Sequence, residues 1–123
     1  MTEQEIRTIL NRQREYFATG ATLSRKFRAE QLGKLKASLQ RHEEELNAAL
    51  QQDLGKSRME SYMCEIGLTL SELTWMQKHL RGLMQEKRVP TPLSQFAAIS
   101  FRSPSPYGTV LIMSPWNYPM LLT

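Results

Sequence analysis

Apolar residues recur at helical spacing along the first two thirds of the chain. Thr2 followed by Glu5 predicts a capping box, in which each side chain satisfies a free backbone donor at the start of a helix. Gly20 follows the last apolar residue of this first pattern and is expected to end it. These signals predict a short amphipathic helix. Its apolar side carries Ile6, Ile9, Leu10, Tyr16 and Phe17.

A second apolar pattern begins at Thr22 and reaches Leu54. Gly55 stands just beyond its end, where glycine commonly closes a helix. A break near Arg41 and His42 would give two helices in place of one long helix, and the pattern leaves both alternatives open. The apolar positions of this stretch are Phe27, Leu32, Leu35, Leu39, Leu46 and Leu50.

The third pattern is the most regular in the chain. Ser57 with Glu60 predicts a second capping box at its start, and the helical period continues to Met84. We therefore predict a helix whose apolar stripe belongs to the core. The stripe consists of Met59, Met63, Ile66, Leu70, Leu73, Met76, Leu80 and Met84.

The pattern changes after Lys87, where prolines interrupt the helical period. "AAISFRS" (97–103) shows a weak alternation that predicts an edge or hairpin strand, and "SPYG" (105–108) predicts a turn. "TVLIM" (109–113) is continuously apolar and rich in β-branched residues. Such a run is typical of a strand that is covered on both faces, as in the middle of a parallel sheet.

The strand predicted over 109–113 needs neighbours. Parallel neighbours are reached by crossovers of about a dozen residues or more, and only ten residues follow Met113. One hypothesis is therefore that the chain is the front part of a longer α/β protein. The alternative is that 109–113 pairs with 98–103 as a hairpin lying on the helices. The pattern does not decide between them.

Composition and charge argue against several classes of function. Sixteen basic and twelve acidic residues give a net charge of +4, spread along the helical stretches, so we expect no nucleic-acid partner. No apolar leader follows Met1 and no apolar run is long enough to span a membrane, which predicts a cytoplasmic protein. Cys64 is the only cysteine, and His42 and His79 lack partners at ligand spacing, so no metal site is predicted.

Asn117 is a polar amide set between Trp116 and Tyr118 in "MSPWNYP" (113–119). The residues alone favour a turn amide that hydrogen-bonds to local backbone groups. However, "SPYGTVLIMSPWNYPMLLT" (105–123) resembles the segment that enters the cofactor domain of NAD(P)-dependent aldehyde dehydrogenases, and "PWNYP" matches their Trp-Asn-aromatic-Pro motif. "ALQQDLGKS" (49–57) and "ESYMCEIGLTLSELTWMQKHL" (60–80) are similar to the N-terminal helices of the class 3 and fatty-aldehyde branch.

The resemblance covers nearly all of this chain and about the first quarter of a typical family member. It implies an α/β fold for the full-length family, of which this portion is mostly α-helical with a short β segment near its C-terminus. It also implies three parts. These are a helical segment (1–87), a connecting segment with a possible oligomerisation strand (88–106), and the first strand of an incomplete dinucleotide-binding domain (107–123).

The reaction that the resemblance implies is the oxidation of an aldehyde to a carboxylic acid with NAD or NADP. In the family a cysteine thiolate attacks the carbonyl, hydride passes to the nicotinamide, and a glutamate activates water. By motif match, the side-chain amide of Asn117 would stabilise the oxyanion. Tyr118 and Leu121, with Met120, would line the aldehyde channel. The nicotinamide and its ribose would lie against Met113, Ser114, Pro115 and Trp116.

Several family motifs do not occur in these 123 residues. They are the Gly-Gln-x-Cys loop, the glutamate before Leu-Gly-Gly, and the Lys-Pro pair that reaches the cofactor. Cys64 is expected to be a semi-buried helix residue and not the nucleophile. We therefore expect a truncated chain that is inactive alone and that self-associates, with the strand in 97–103 as a dimer edge. The alternative is a helical interaction module with no catalytic activity.

Overall fold

The computed structural model describes residues 1–123 and is mostly α-helical, with one small sheet near its C-terminal end. This confirms the predicted fold class. Short 3₁₀ turns lie between some of the elements. The elements are α1 (Glu3–Ala18), α2 (Arg25–Arg41), α3 (Glu43–Leu54), α4 (Arg58–Ser61), α5 (Gly67–Met84), β1 (Lys87–Val89) and β2 (Ser100–Arg102).

The predicted helix ends are confirmed for α1 and α3. Thr2 accepts a hydrogen bond from the Glu5 amide, and the Glu5 carboxylate accepts one from the Thr2 amide, which completes the capping box. Gly20 and Gly55 both adopt left-handed conformations, with φ of 75° and 68°. The second pattern forms two helices, because α2 ends at Arg41 and α3 begins at Glu43.

The third pattern forms one nearly continuous helix made of α4, a π turn (Tyr62–Ile66) and α5. The Ser57 hydroxyl accepts a hydrogen bond from the Glu60 amide at 3.2 Å and caps the helix. The reciprocal bond from the Ser57 amide to the Glu60 carboxylate is not formed, so the predicted capping box is only half present. In the π turn the Gly67 amide donates to the Tyr62 carbonyl, five residues back. A π turn therefore adds a residue to the helix and rotates α5 about the helix axis relative to α4.

The prediction that the N-terminal part of the third apolar stripe lies in the core is wrong. Met59 and Met63 are 72% and 61% exposed, while Ser61 and Glu65 are buried in their place. The single helical period used for the prediction does not hold across the π turn, which shifts the buried face. The prediction is confirmed at Ile66, the last residue of the π turn, and at Leu73 and Leu80 in α5, which are all buried. Met76 is exposed.

The small core lies where α2 and α3 meet the long helix. Its buried apolar residues are Leu50, Ile66, Leu73 and Leu80. The Lys36 ammonium of α2 donates to the Thr74 hydroxyl of α5 at 2.7 Å and ties the two helices together. The first helix, α1, contributes no buried residue.

The two strands pair antiparallel, with Lys87 opposite Arg102 and Val89 opposite Ser100. A strand in "AAISFRS" is thus confirmed over Ser100–Arg102. The strand predicted over 109–113 is not formed, and neither is its hairpin with 98–103. An apolar run becomes a strand only when neighbouring strands supply its ladder hydrogen bonds, and β2 pairs with β1 instead. The division into three parts remains a prediction.

Candidate functional site

A buried ion pair lies beneath the Trp-Asn-Tyr-Pro motif. The Lys56 ammonium and the Glu65 carboxylate are hydrogen-bonded to each other, and their side chains are only 10% and 0% exposed. Charged groups leave water at a high cost unless a partner compensates them. The two side chains therefore depend on each other, and on the polar groups that surround them.

Local irregularities in the helices place both members of the pair. Lys56 lies between the left-handed Gly55, which ends α3, and Ser57, which caps α4. Glu65 lies in the π turn, directly beside the buried Ile66. The turn between α3 and α4 fixes the backbone direction at Lys56, and the π turn fixes it at Glu65. The two side chains therefore meet under the C-terminal segment.

The ion pair binds the main chain of the motif. The Lys56 ammonium donates to the Asn117 carbonyl at 3.0 Å, and the Glu65 Oε2 atom accepts from the Met120 amide at 2.9 Å. The Lys56 Nζ atom also lies 4.4 Å from the centre of the Tyr118 ring, within cation–π distance. The ion pair thus contacts Asn117 and Tyr118 of the motif, and Met120, which follows it.

Asn117 has its carbonyl occupied and its side chain free. The residue is exposed, and its side-chain amide makes no hydrogen bond within the chain. The interpretation of Asn117 as a turn amide that satisfies local backbone groups therefore does not describe this structure. Its two N–H donors are open to a ligand.

The predicted cofactor residues lie on the exposed side of the same segment. Met113 and Trp116 are 84% and 88% exposed, while Ser114 and Pro115 are half-buried. The Ser114 and Thr123 hydroxyls are hydrogen-bonded to each other. The exposed thioether of Met113 and indole of Trp116 are apolar groups of the kind that line cofactor sites, and the cofactor roles of these four residues remain predictions.

An apolar groove of about 790 Å³ runs between the motif and the helices α2 and α3. Trp116, Pro119 and Met120 form one wall, and leucines of the two helices form the other. Of the three residues predicted for the aldehyde channel, Met120 lines this groove while Tyr118 and Leu121 do not. The substrate roles of Tyr118, Met120 and Leu121 all remain predictions.

Other candidate chemistry gives no second site. Cys64 is a free, half-buried thiol on the π turn, as predicted. No group of three or more His, Cys, Asp and Glu side chains is placed to hold a metal ion. None of the helices has the length and apolar content needed to cross a membrane.

Sequence reasoning missed Lys56 and Glu65. Both lie within segments that carried the family resemblance, but charged residues are frequent throughout the helices. The one available signal was the position of Glu65 next to Ile66 in the apolar stripe, since a charged residue at that position is expected to be paired. The pairing itself depends on the π turn.

Comparison with known proteins gives a consistent result. The model of the aldehyde dehydrogenase family matches residues 1–123. The chain is 42% identical to 4,4'-diaponeurosporen-aldehyde dehydrogenase of Staphylococcus aureus, over 87% of this chain and 23% of that protein. It is also 42% identical to human aldehyde dehydrogenase family 3 member B1, over 93% of this chain and 24% of that protein.

The fold matches a solved structure as well. Staphylococcus aureus AldH, determined in a substrate-bound state, superimposes with a TM-score of 0.92 at 39% identity, covering 95% of this chain and 26% of that one. The chain thus spans about a quarter of the length of the curated relatives it matches. The helices, the Trp-Asn-Tyr-Pro motif and these matches agree, and the chain belongs to the aldehyde dehydrogenase family, with family 3 proteins among its relatives.

Proposed function

We propose that this chain is the N-terminal part of an NAD(P)-dependent oxidoreductase that oxidises aldehydes to carboxylic acids, and that Asn117 is its oxyanion donor. The observation that carries the proposal is the difference between the main chain and the side chain of Asn117. Its carbonyl is held by a buried ammonium, while its side-chain amide is exposed and makes no hydrogen bond. An anchored backbone with a free donor suits a group that must meet a reacting atom at a fixed place.

The chemistry requires a donor of this kind. When a thiolate adds to an aldehyde, a sulfur–carbon bond forms and the carbonyl π electrons move to oxygen, which becomes negatively charged. A preorganised N–H directed at that oxygen stabilises the transition state more than the ground state. The Asn117 amide donates without carrying a charge of its own, so it needs no counter-ion.

The neighbouring residues have proposed binding roles. Met113, Ser114, Pro115 and Trp116 bind the nicotinamide and its ribose, which is supported by the exposed apolar surface of Met113 and Trp116. When bound, NAD or NADP accepts the hydride that the oxidation releases. In this proposal Tyr118 and Leu121, with Met120, line the aldehyde channel.

The nucleophile and the general base are proposed to come from outside these 123 residues. Cys64 is half-buried in the π turn of the long helix. Neither the Gly-Gln-x-Cys loop nor the glutamate before Leu-Gly-Gly occurs in these residues. We therefore expect residues 1–123 alone to be inactive. A homodimer through the free edge of β2, where Phe101 is exposed, is a further part of the proposal.

The test is the oxidation of an alkyl or benzyl aldehyde by the full-length gene product, followed through the absorbance of reduced nicotinamide. Replacing Asn117 with alanine should reduce kcat about 10²-fold or more, as removal of one oxyanion donor does elsewhere. Asn11→Ala is the matched control, since Asn11 is exposed on α1. An Asn117→Ala enzyme as fast as the wild type would overturn the donor role of Asn117. A wild-type gene product that oxidises no aldehyde would overturn the proposed activity and favour the helical interaction module.

A further inference from the structure

We propose that the buried Lys56–Glu65 ion pair is a positioning device that fixes Asn117 for catalysis. The inference rests on the proposed function for the role of Asn117, and goes beyond it by assigning two residues that act through it. Neither side chain is placed to meet the substrate, because both lie beneath the motif. They are positioning residues and not catalytic ones.

The hydrogen bonds of the C-terminal segment carry the inference. Residues 113–123 make two hydrogen bonds to the helices, from Lys56 to the Asn117 carbonyl and from the Met120 amide to Glu65. The other hydrogen bonds of this segment are internal to it. Since no strand ladder holds 109–113, the ion pair provides all the directional contact between the motif and the helices.

The Lys56 ammonium makes two hydrogen bonds and one cation–π contact. An ammonium has three N–H groups. In this structure Lys56 faces the Glu65 carboxylate, the Asn117 carbonyl and the Tyr118 ring. Because Lys56 contacts both Asn117 and the next residue, it restrains the peptide unit from which the Asn117 side chain extends.

The acceptors of Glu65 are also divided. Its Oε1 atom accepts from Lys56, and its Oε2 atom accepts from the Met120 amide. A glutamine has one acceptor oxygen, so it can serve one of these donors and must present its own NH₂ group to the other. Glu65→Gln therefore breaks one of the two contacts with almost no change in shape.

The pair differs from the other ion pairs of the chain. Arg58–Glu44 and Arg7–Glu3 are exposed, and neither contacts the C-terminal segment. Arg58 lies only two residues from Lys56 in sequence. The Arg58–Glu44 pair is therefore a matched control that carries the same charges without the contacts.

The first experiment measures kcat of the full-length gene product for Lys56→Met, in the wild-type and the Asn117→Ala backgrounds. A misplacement of about 1 Å can cost up to about 10²-fold in rate, so Lys56→Met should lower kcat at least about tenfold and no more than Asn117→Ala does. In the Asn117→Ala background it should change kcat less than about twofold, because the group it positions is gone. The kcat of Arg58→Met should stay within about twofold of wild type.

A purely structural role would give a different pattern. In that case Lys56→Met would lower kcat by the same factor in both backgrounds, and this result would overturn the inference. Where Lys56→Met does not fold, Lys56→Met/Glu65→Gln leaves no unpaired buried charge and still removes the hold on Asn117. A folded double variant with wild-type kcat would equally contradict the proposal.

The second experiment tests the hold on the segment without activity. Amide hydrogen exchange at Met120 should be at least about tenfold faster in Lys56→Met/Glu65→Met, which has no side-chain oxygen at position 65, than in wild type. It should be unchanged in the matched control Arg58→Met/Glu44→Met. Unchanged exchange at Met120 in Lys56→Met/Glu65→Met would overturn the inference even if Asn117→Ala abolished turnover. Conversely, a fully active Asn117→Ala enzyme would overturn the proposed function, while the exchange rates would still decide whether the ion pair holds the segment.

Discussion

Gly67→Ala should destabilise the protein, because the added methyl group has no room. A Cβ atom at position 67 would lie 2.8 Å from the Tyr62 carbonyl oxygen and 3.0 Å from a carbon of the Tyr62 ring. The first contact is with backbone, which cannot swing aside. Forcing an extra carbon into such a site costs about 1–3 kcal/mol. The methyl group therefore opposes the π turn that carries Glu65.

Gly82→Ala is the matched control for this substitution. Gly82 lies in the same helix, α5, and a Cβ atom there would meet nothing within 4 Å. Both variants gain the helix propensity of alanine over glycine, about 1 kcal/mol. The difference in unfolding free energy between them isolates the contact with Tyr62. We expect Gly67→Ala to be about 1–3 kcal/mol less stable than Gly82→Ala.

The assay is urea denaturation of the two variants followed by far-ultraviolet circular dichroism, compared through their midpoints at equal m-values. A further consequence is that Gly67→Ala should accelerate amide exchange at Met120, because Glu65 is displaced with the turn. Equal stabilisation by both alanines would refute the reasoning. It would mean that the π turn does not depend on the missing side chain at position 67.

The remaining predictions concern the isolated 123-residue chain. Gly55→Ala should lower the free energy of unfolding by about 1–2 kcal/mol, since φ at Gly55 is +68°. Gly55→Asn should lower it less, and an equal loss of unfolding free energy in the two variants would contradict this. Leu73→Ala should cost about 2–5 kcal/mol, while Met63→Ala, at an exposed position, should change stability by less than about 0.5 kcal/mol. Exposed apolar side chains such as Leu111 should cause concentration-dependent self-association in sedimentation, which a monomer at all concentrations would disprove.

The parts of the fold that sequence predicted correctly depend on local interactions. The Thr2 capping box and the helix ends at Gly20 and Gly55 each involve residues within a few positions of one another. Such contacts form in whatever surroundings the helix occupies. They can therefore be inferred from short stretches of sequence.

The errors arose where structure depends on distant or irregular features. The π turn leaves no mark in the apolar pattern. An uninterrupted helical period therefore predicts that Met59 and Met63 are buried, whereas both are exposed. The apolar run 109–113 has the composition of a covered strand, but no other segment of residues 1–123 pairs with it as a neighbouring strand. A strand is a property of a pair of segments, and the composition of one segment cannot establish it.

The candidate site was predicted in part. The motif identified Asn117 through the family resemblance, and the structure shows its side-chain amide free of local hydrogen bonds. Lys56 and Glu65 could not be found in the same way, because burial distinguishes them from the many exposed charges. The two residues lie at a glycine turn and a π turn, and they contact Asn117, which is 61 residues from Lys56 in sequence.

The most direct test of the central claim compares three residues at position 117 in the full-length gene product. Aspartate has nearly the shape of asparagine but carries a negative charge and no N–H donor, whereas alanine only removes the donor. If the amide stabilises an oxyanion, turnover should fall about 10²-fold or more in Asn117→Ala, and Asn117→Asp should be no faster than alanine. A faster Asn117→Asp enzyme, close to wild type, would show that shape matters at this position and the donor does not.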